Sequence, residues 1–236
     1  MPAGQPVRGR GTPARAGSGG DGPVTGVALF DAALRRAATG RSASFAVRDP
    51  FGELHPFDPA AWCRDELPGD TTLLDRCTGP VLDVGCGPGR LVGALAAAGF
   101  SAFGIDVSAE AVRLTRERGA AALRRDVFGS VPGTGRWRDV LLADGNIGIG
   151  GDPARLLRRC HQLIARTGRV HAELAPPGRP SWSGSVEVHT TGGPGARLAW
   201  AAVSADDLAR VAAEADLRVL DVRTEADRWF GTLARR

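Results

Sequence analysis

The chain has 236 residues, enough for one domain of ordinary size with a tail or cap. Its hydrophobic fraction of 43% supports a real core, and its formal net charge of +4 is modest. The basic residues are all arginine and lie scattered among acids, which argues against a nucleic-acid surface. No apolar run approaches the roughly 18 residues of a membrane span, and no apolar core of a secretory signal follows the first arginines. Cys63, Cys77, Cys86 and Cys160 form no C-x-x-C pair and have no histidine at metal spacing. Free thiols, a cytoplasmic location and no metal site are therefore expected.

Residues 1–23 are rich in Gly, Pro, Ala and Arg, with little to bury, and are expected to be a disordered tail. The spacing of Val27, Leu29, Phe30, Ala33 and Leu34 predicts a helix over 24–39, closed by Gly40. Two short strands, 42–47 and 53–57, flank the turn-forming Asp49-Pro50-Phe51-Gly52. Asp58-Pro59 reads as the start of a short helix carrying Trp62, and a further helix is predicted over 70–77. Together, 24–78 form an N-terminal cap of helices and a hairpin, fit either to close over a pocket or only to cover a sheet edge.

Val81 to Val84 read as a short buried strand that enters the turn Gly85-Cys86-Gly87-Pro88-Gly89 and then a helix over 89–98. Such a strand, turn and helix presents backbone N–H groups to a ligand. A dinucleotide turn asks for a small sixth residue, and here it is Arg90. There is no G-K-[ST] of a phosphate loop. With Asp83 two residues ahead of the first glycine, the string resembles motif I of the class I S-adenosylmethionine (SAM)-dependent methyltransferases. Strands at 102–106, 122–126, 139–143 and 169–174 follow, separated by helices capped by Ser108 and by Asp152-Pro153. A ribbon is predicted at about 182–203, with its turn around Gly192-Gly193-Pro194-Gly195. A helix over 205–215, with Ser204 and Asp207 as a capping pair, and a hairpin of 217–223 and 228–233 end the chain. The resemblance implies an α/β, Rossmann-like, seven-stranded and mostly parallel sheet over 79–236, with helices on both faces and an antiparallel last strand.

The resemblance also implies a cofactor site for S-adenosyl-L-methionine. Gly85, Cys86, Gly87 and Gly89 would form its turn, and Asp83 would face the methionine ammonium. Asp106, with Val107 beside it, ends the second strand, where a carboxylate accepts both ribose hydroxyls; an N-terminal helix charge is the plainer alternative. Asp126 and Val127 fall where the family holds adenine, with Phe128 to pack on the ring. Asp144 and Asn146 follow the fourth core strand, beside the transferable methyl, as candidates to orient an acceptor or take its proton; loop and cap chemistry is their other reading. His161 reads as structural or exposed, whereas His171 and His189 have no nameable partner. Trp62, Trp182, Trp200 and Trp229 are candidates for an apolar substrate site or for core packing. The resulting expectation is methyl transfer to O, N or C of a small-molecule acceptor, with no nucleic-acid or membrane partner. A SAM-binding but catalytically silent partner subunit is the alternative, and Arg90 disfavours a nicotinamide oxidoreductase.

Overall fold

The computed structural model describes residues 25–190 and 193–236; the expected tail 1–23 and Gly192 of the ribbon turn lie outside them. Helix α1, Gly26–Ala38, is capped by the Thr25 hydroxyl, which accepts from the Ala28 N–H at 3.2 Å. Strands β1, Phe45–Arg48, and β2, Leu54–Phe57, form a hairpin whose turn is built by Asp49. Its Oδ1 accepts from the N–H groups of Phe51 and Glu53 at 2.9 and 2.8 Å. Helix α2, Pro59–Trp62, starts at the Asp58 cap and Pro59 as expected, and α3, Asp70–Leu74, completes the cap.

The core alternates β3 Val81–Val84, α4 Arg90–Ala97, β4 Ala102–Asp106, α5 Ala109–Glu117, β5 Ala122–Arg124, β6 Trp137–Leu142, α6 Pro153–Leu163 and β7 Ile164–Leu174. After β8, Trp182–Thr190, and β9, Gly193–Ala202, come α7, Leu208–Ala213, and the hairpin β10, Leu217–Glu225, with β11, Arg228–Arg235. The seven-stranded sheet has the order β10-β11-β7-β6-β3-β4-β5. Strands β3 to β7 are parallel, and β11 runs antiparallel between β7 and β10, as the sequence led us to expect.

Alternation along the strands sends side chains to two faces. Leu82, Val84, Val140 and Leu142 pack with Leu156, Leu157 and Cys160 of α6 on one face, while Val81 and Leu141 pack with Leu73, Leu91 and Leu95 on the other. The α6 contacts follow the spacing of an amphipathic helix, with Leu156, Leu157, Cys160 and Leu163 all buried.

The structure corrects several boundaries. The third core strand stops at Arg124, because the Asp126 carboxylate turns the chain by accepting from the Phe128 N–H at 2.9 Å. The fifth begins at Ile164, directly from α6. Ser204 and Asp207 do not form the expected capping pair. The Ser204 hydroxyl donates to Pro176 O at 3.3 Å and accepts from Asp206 N–H, the Asp207 side chain makes no cap bond, and the helix is only Leu208–Ala213.

The cap and the ribbon are one structure. β1 pairs antiparallel with β8, giving a second sheet of order β2-β1-β8-β9. Helix α1 closes on this sheet through Ala33, Phe45, Val47, Val186 and Val188. Between the sheets runs the turn Asn146–Gly151. Here Gly148 meets β9 so closely that a Cβ would stand 2.0 Å from Ala201 O.

Candidate active site

The ends of β3, β4 and β6 open into a cavity of about 330 Å³ whose opposite wall is the cap and β9. The glycine turn is tied to β4 by the N–H groups of Gly85 and Cys86, which both donate to Ile105 O, at 2.8 and 3.1 Å. Gly85 has φ +73°, and a Cβ on it would stand 2.7 Å from Asn146 Nδ2, so conformation and space both require glycine there. Asn146 explains the crowding. Its amide donates to Val84 O at 3.0 Å and Gly85 O at 2.9 Å, clamping the segment after β6 against the turn.

Asp83 is only 3% exposed, on β3, and lines the cavity. Burial, then the Asp144 carboxylate, pushes its carboxyl up to about 7 against the opposing pull of Arg90. Among the described residues, none donates a hydrogen bond to this carboxylate. Asp106 is bound differently. One oxygen accepts from Gly87 N–H at 3.0 Å and the other from Ser108 N–H at 2.8 Å. Each oxygen keeps acceptor capacity beyond that one bond, and the residue lines the cavity. Burial raises its carboxyl as well.

Of the remaining predicted cofactor residues, Val107, Asp126 and Val127 gather along the same cavity, whereas Gly89 does not line it and abuts Thr115, where a Cβ would stand 2.7 Å from Cγ2. Val107 is 44% exposed beside Asp106, Asp126 is exposed, Val127 is buried, and the Arg155 guanidinium lies 4.1 Å from the centre of the Phe128 ring. Cys86 is a packing residue. Burial holds its thiol well above the ordinary range, and its sulfur lies 3.7 Å from the Thr115 hydroxyl.

Asp144 and Asn146 reach the cavity, but neither stands free. Asp144 Oδ2 meets Arg90 Nη2 at 2.5 Å and its Oδ1 meets Arg228 Nη2 at 3.2 Å. The expectation that Asp144 takes an acceptor's proton thus meets a carboxylate already bound by two guanidinium groups. Arg228 also binds Glu173, with Nε to Oε1 at 2.9 Å and Nη2 to Oε2 at 2.8 Å, and Asp70 Oδ1 at 2.9 Å. Arg90 completes the ring by pairing with Asp70. Two arginines and three carboxylates therefore join the cap, the helix after the glycine turn and the last hairpin. Arg90 is 4% exposed, and its length is accommodated because it runs toward the cap. The sequence reading missed Asp70, Glu173 and Arg228, which carry no local motif.

No histidine lines the cavity among the described residues. His171 is buried between Asp139, 3.0 Å from Nε2, and the Thr232 hydroxyl, 3.2 Å from Nδ1, while His189 lies 3.6 Å from Glu187. Of the tryptophans, Trp62 and Trp200 line the cavity, whereas Trp182 lies against His55 and Trp229 packs on the core. No helix among the described residues is long and apolar enough to cross a membrane.

Comparison with known proteins agrees with this architecture. Residues 81–168 match the family model for the methyltransferase domain. No curated protein matches the chain by sequence. Among solved structures, the chain is similar to a SAM-dependent methyltransferase from Bacteroides fragilis in complex with S-adenosyl-L-homocysteine. The TM-score is 0.72 at 19% identity, covering 88% of this chain and 94% of that one. It is also similar to the 1,6-didemethyltoxoflavin-N1-methyltransferase of Burkholderia thailandensis, bound to 1,6-didemethyltoxoflavin and S-adenosylhomocysteine. There the TM-score is 0.55 at 19% identity, over 74% and 78% of the two chains. A third likeness is to the CcbJ methyltransferase from Streptomyces caelestis, with TM-score 0.54 at 16% identity over 72% and 94%.

Proposed function

We propose that this chain, whose residues 81–168 belong to the methyltransferase-domain family and whose sheet has the class I fold, is a SAM-dependent methyltransferase acting on a small-molecule acceptor. The observation that carries the reading is the pair of carboxylates across the glycine turn. Asp83 is buried toward the cavity with no donor from the described residues, and Asp106 retains acceptor capacity beside two backbone donors. This donor and acceptor set fits an ammonium at Asp83 and vicinal hydroxyls at Asp106.

S-adenosylmethionine supplies a methyl group on a positively charged sulfur. Asp106 would hold the ribose, Asp83 the methionyl ammonium, and the Asp126–Phe128 segment the adenine. Asn146 fixes the turn through its two carbonyl contacts, and Asp144 fixes Arg90 and Arg228, so both are positioning residues in this reading. The cap and β9 exclude water and hold the acceptor in line, which is the larger part of catalysis when the methyl is already activated. The Burkholderia thailandensis enzyme, with a small heterocycle bound, supports a small-molecule acceptor.

Calorimetry with S-adenosylhomocysteine, SAM and NADH tests the reading. The first two should bind and NADH should not. Asp106→Ala should weaken binding by about 10- to 100-fold, the value of one or two hydrogen bonds to a charged group. Failure of well-folded protein to bind S-adenosylhomocysteine would overturn the proposal. Binding without turnover across an acceptor screen would point to a silent subunit.

A further inference from the structure

The cavity has two chemically different walls. The core wall carries Asp83, Asp106, Asp126 and Asp144, with Arg90 and Arg125. Among the described residues, the wall from the cap and β9 is formed by apolar residues alone, including Phe30, Phe57, Trp62, Leu198 and Trp200. Its four aromatic rings are half-buried. They are also ordered: Phe30 and Trp62 are stacked at 5.6 Å with planes 8° apart. Phe57 stands edge-on to Trp62 at 5.9 Å and to Trp200 at 6.4 Å. Such a set of rings accepts another flat ring by stacking or edge contact.

Charge narrows the class further. Of the two arginines on the cavity, Arg90 is tied to Asp70 and Asp144, and Arg125 lies exposed next to Asp126, at the adenine end of the proposed cofactor site. Among the described residues, a carboxylate or phosphate on the acceptor would find no cation on the apolar wall and would face a core wall on which carboxylates outnumber guanidinium groups. Among the described residues, the apolar wall also offers no side chain able to take a proton, and on the core wall Asp144 is already paired with Arg90 and Arg228. An acceptor held there must present a lone pair at neutral pH without help.

Resting on the methyltransferase reading, we infer that the acceptor is an uncharged, planar aromatic or heteroaromatic molecule methylated on a nitrogen that is neutral at pH 7. In the step itself, the nitrogen lone pair forms the bond to the methyl carbon while the carbon–sulfur pair stays on sulfur. An amine nitrogen then loses its N–H proton to water, whereas a ring nitrogen without hydrogen keeps the positive charge that sulfur gives up.

The test is calorimetric titration of the full chain, saturated with S-adenosylhomocysteine, with three probes: 5-aminoquinoline, an aminoquinoline carboxylate and cyclohexylamine. 5-Aminoquinoline should bind at least about tenfold more tightly than either of the others, the scale of one aromatic contact or one unpaired charge. Trp200→Leu and Phe30→Leu should each weaken it by about fivefold while S-adenosylhomocysteine affinity stays as in wild type, which also reports that the variants are folded. Equal or tighter binding of the carboxylate or the aliphatic amine would overturn the inference. So would no binding of 5-aminoquinoline to the loaded protein, or aromatic binding indifferent to both substitutions. Loss of S-adenosylhomocysteine binding in wild type would instead overturn the reading beneath it.

Discussion

Asp83 carries a carboxylate that burial disfavours and that accepts no hydrogen bond from the described residues. Its carboxyl sits at about 7, so the folded protein holds a proton there that the unfolded chain releases near the ordinary carboxylate value of 3.8. The folded state therefore binds more protons between those two values, and this group's contribution to stability falls as pH rises through that window. A bound ammonium reverses the preference and expels the proton. At pH 6, S-adenosylhomocysteine binding should release up to roughly one proton, read from calorimetry in buffers of different ionisation enthalpy. The release should fade by pH 8, affinity should rise over the same range, and Asp83→Asn should abolish both effects. Release unchanged in Asp83→Asn would remove Asp83 from the ammonium site. Asn146 works through geometry: Asn146→Ala withdraws one donor from Val84 O and Gly85 O. The expected cost is about 1–2 kcal/mol, read as a lower Tm, with S-adenosylhomocysteine bound more weakly. Asp83 and Asp106 were legible as cavity positions because a strand end and a glycine turn are local patterns. Asp144 was legible as a position but not as a role, because its partners Arg90 and Arg228 lie 54 and 84 residues away.

At the scale of elements, the arginine ring holds α3, α4 and β11 to the end of β6. Burial works to raise the Asp70 carboxyl, but hydrogen bonds from Arg90 and from Leu67 N–H outweigh it and leave it below the ordinary range. A carboxyl lowered on folding stabilises above its unfolded value and loses that contribution as pH falls through the carboxylate range. Arg228→Met would leave Asp70 and Asp144 sharing Arg90 and would take from Glu173 its arginine partner. Destabilisation of about 3 kcal/mol or more is expected at pH 7, as for other pairs broken from one side. The gap to wild type should narrow as the carboxylates protonate, and denaturant midpoints at pH 7 and pH 4 measure it. An equal deficit at both values would mean the charges contribute nothing and only packing was lost. Element identities were largely readable because α6 and the core strands repeat at their own periods. Ends were less so. β5 yields to the Asp126 turn, and α7 starts late because Ser204 is drawn to Pro176 and bridges with Ala175 in the parallel sense.

For the molecule as a whole, the feature hidden from sequence is that the N-terminal hairpin and the ribbon complete one sheet. Phe45 pairs with Thr190, and nothing local in either strand names a partner that far along the chain. Once formed, this sheet and α1 make the apolar wall of the cavity, so cap and core must stay registered for the cavity to exist. Asp31 of α1 supplies a tether. Its carboxylate accepts from the Ser108 hydroxyl and, at 3.4 Å, from Glu110 N–H, at the start of α5. A negative charge is favoured there by the exposed N–H groups of the helix end. The tether lies beside Asp106, since Ser108 also donates its N–H to that carboxylate, which couples the lid to the proposed ribose site. Hydrogen exchange should therefore show α1 and residues 85–89 gaining protection together when S-adenosylhomocysteine binds. In Asp31→Ala, protection of α1 should fall while β3 and β6 keep theirs, because those strands are buried against α4 and α6 rather than against α1. Loss of protection spread evenly over both sheets would show that cap and core unfold as one unit. Protection of α1 unchanged in the variant would show that the apolar packing of its Ala33 with Val47 and Val186 holds the lid without the charge.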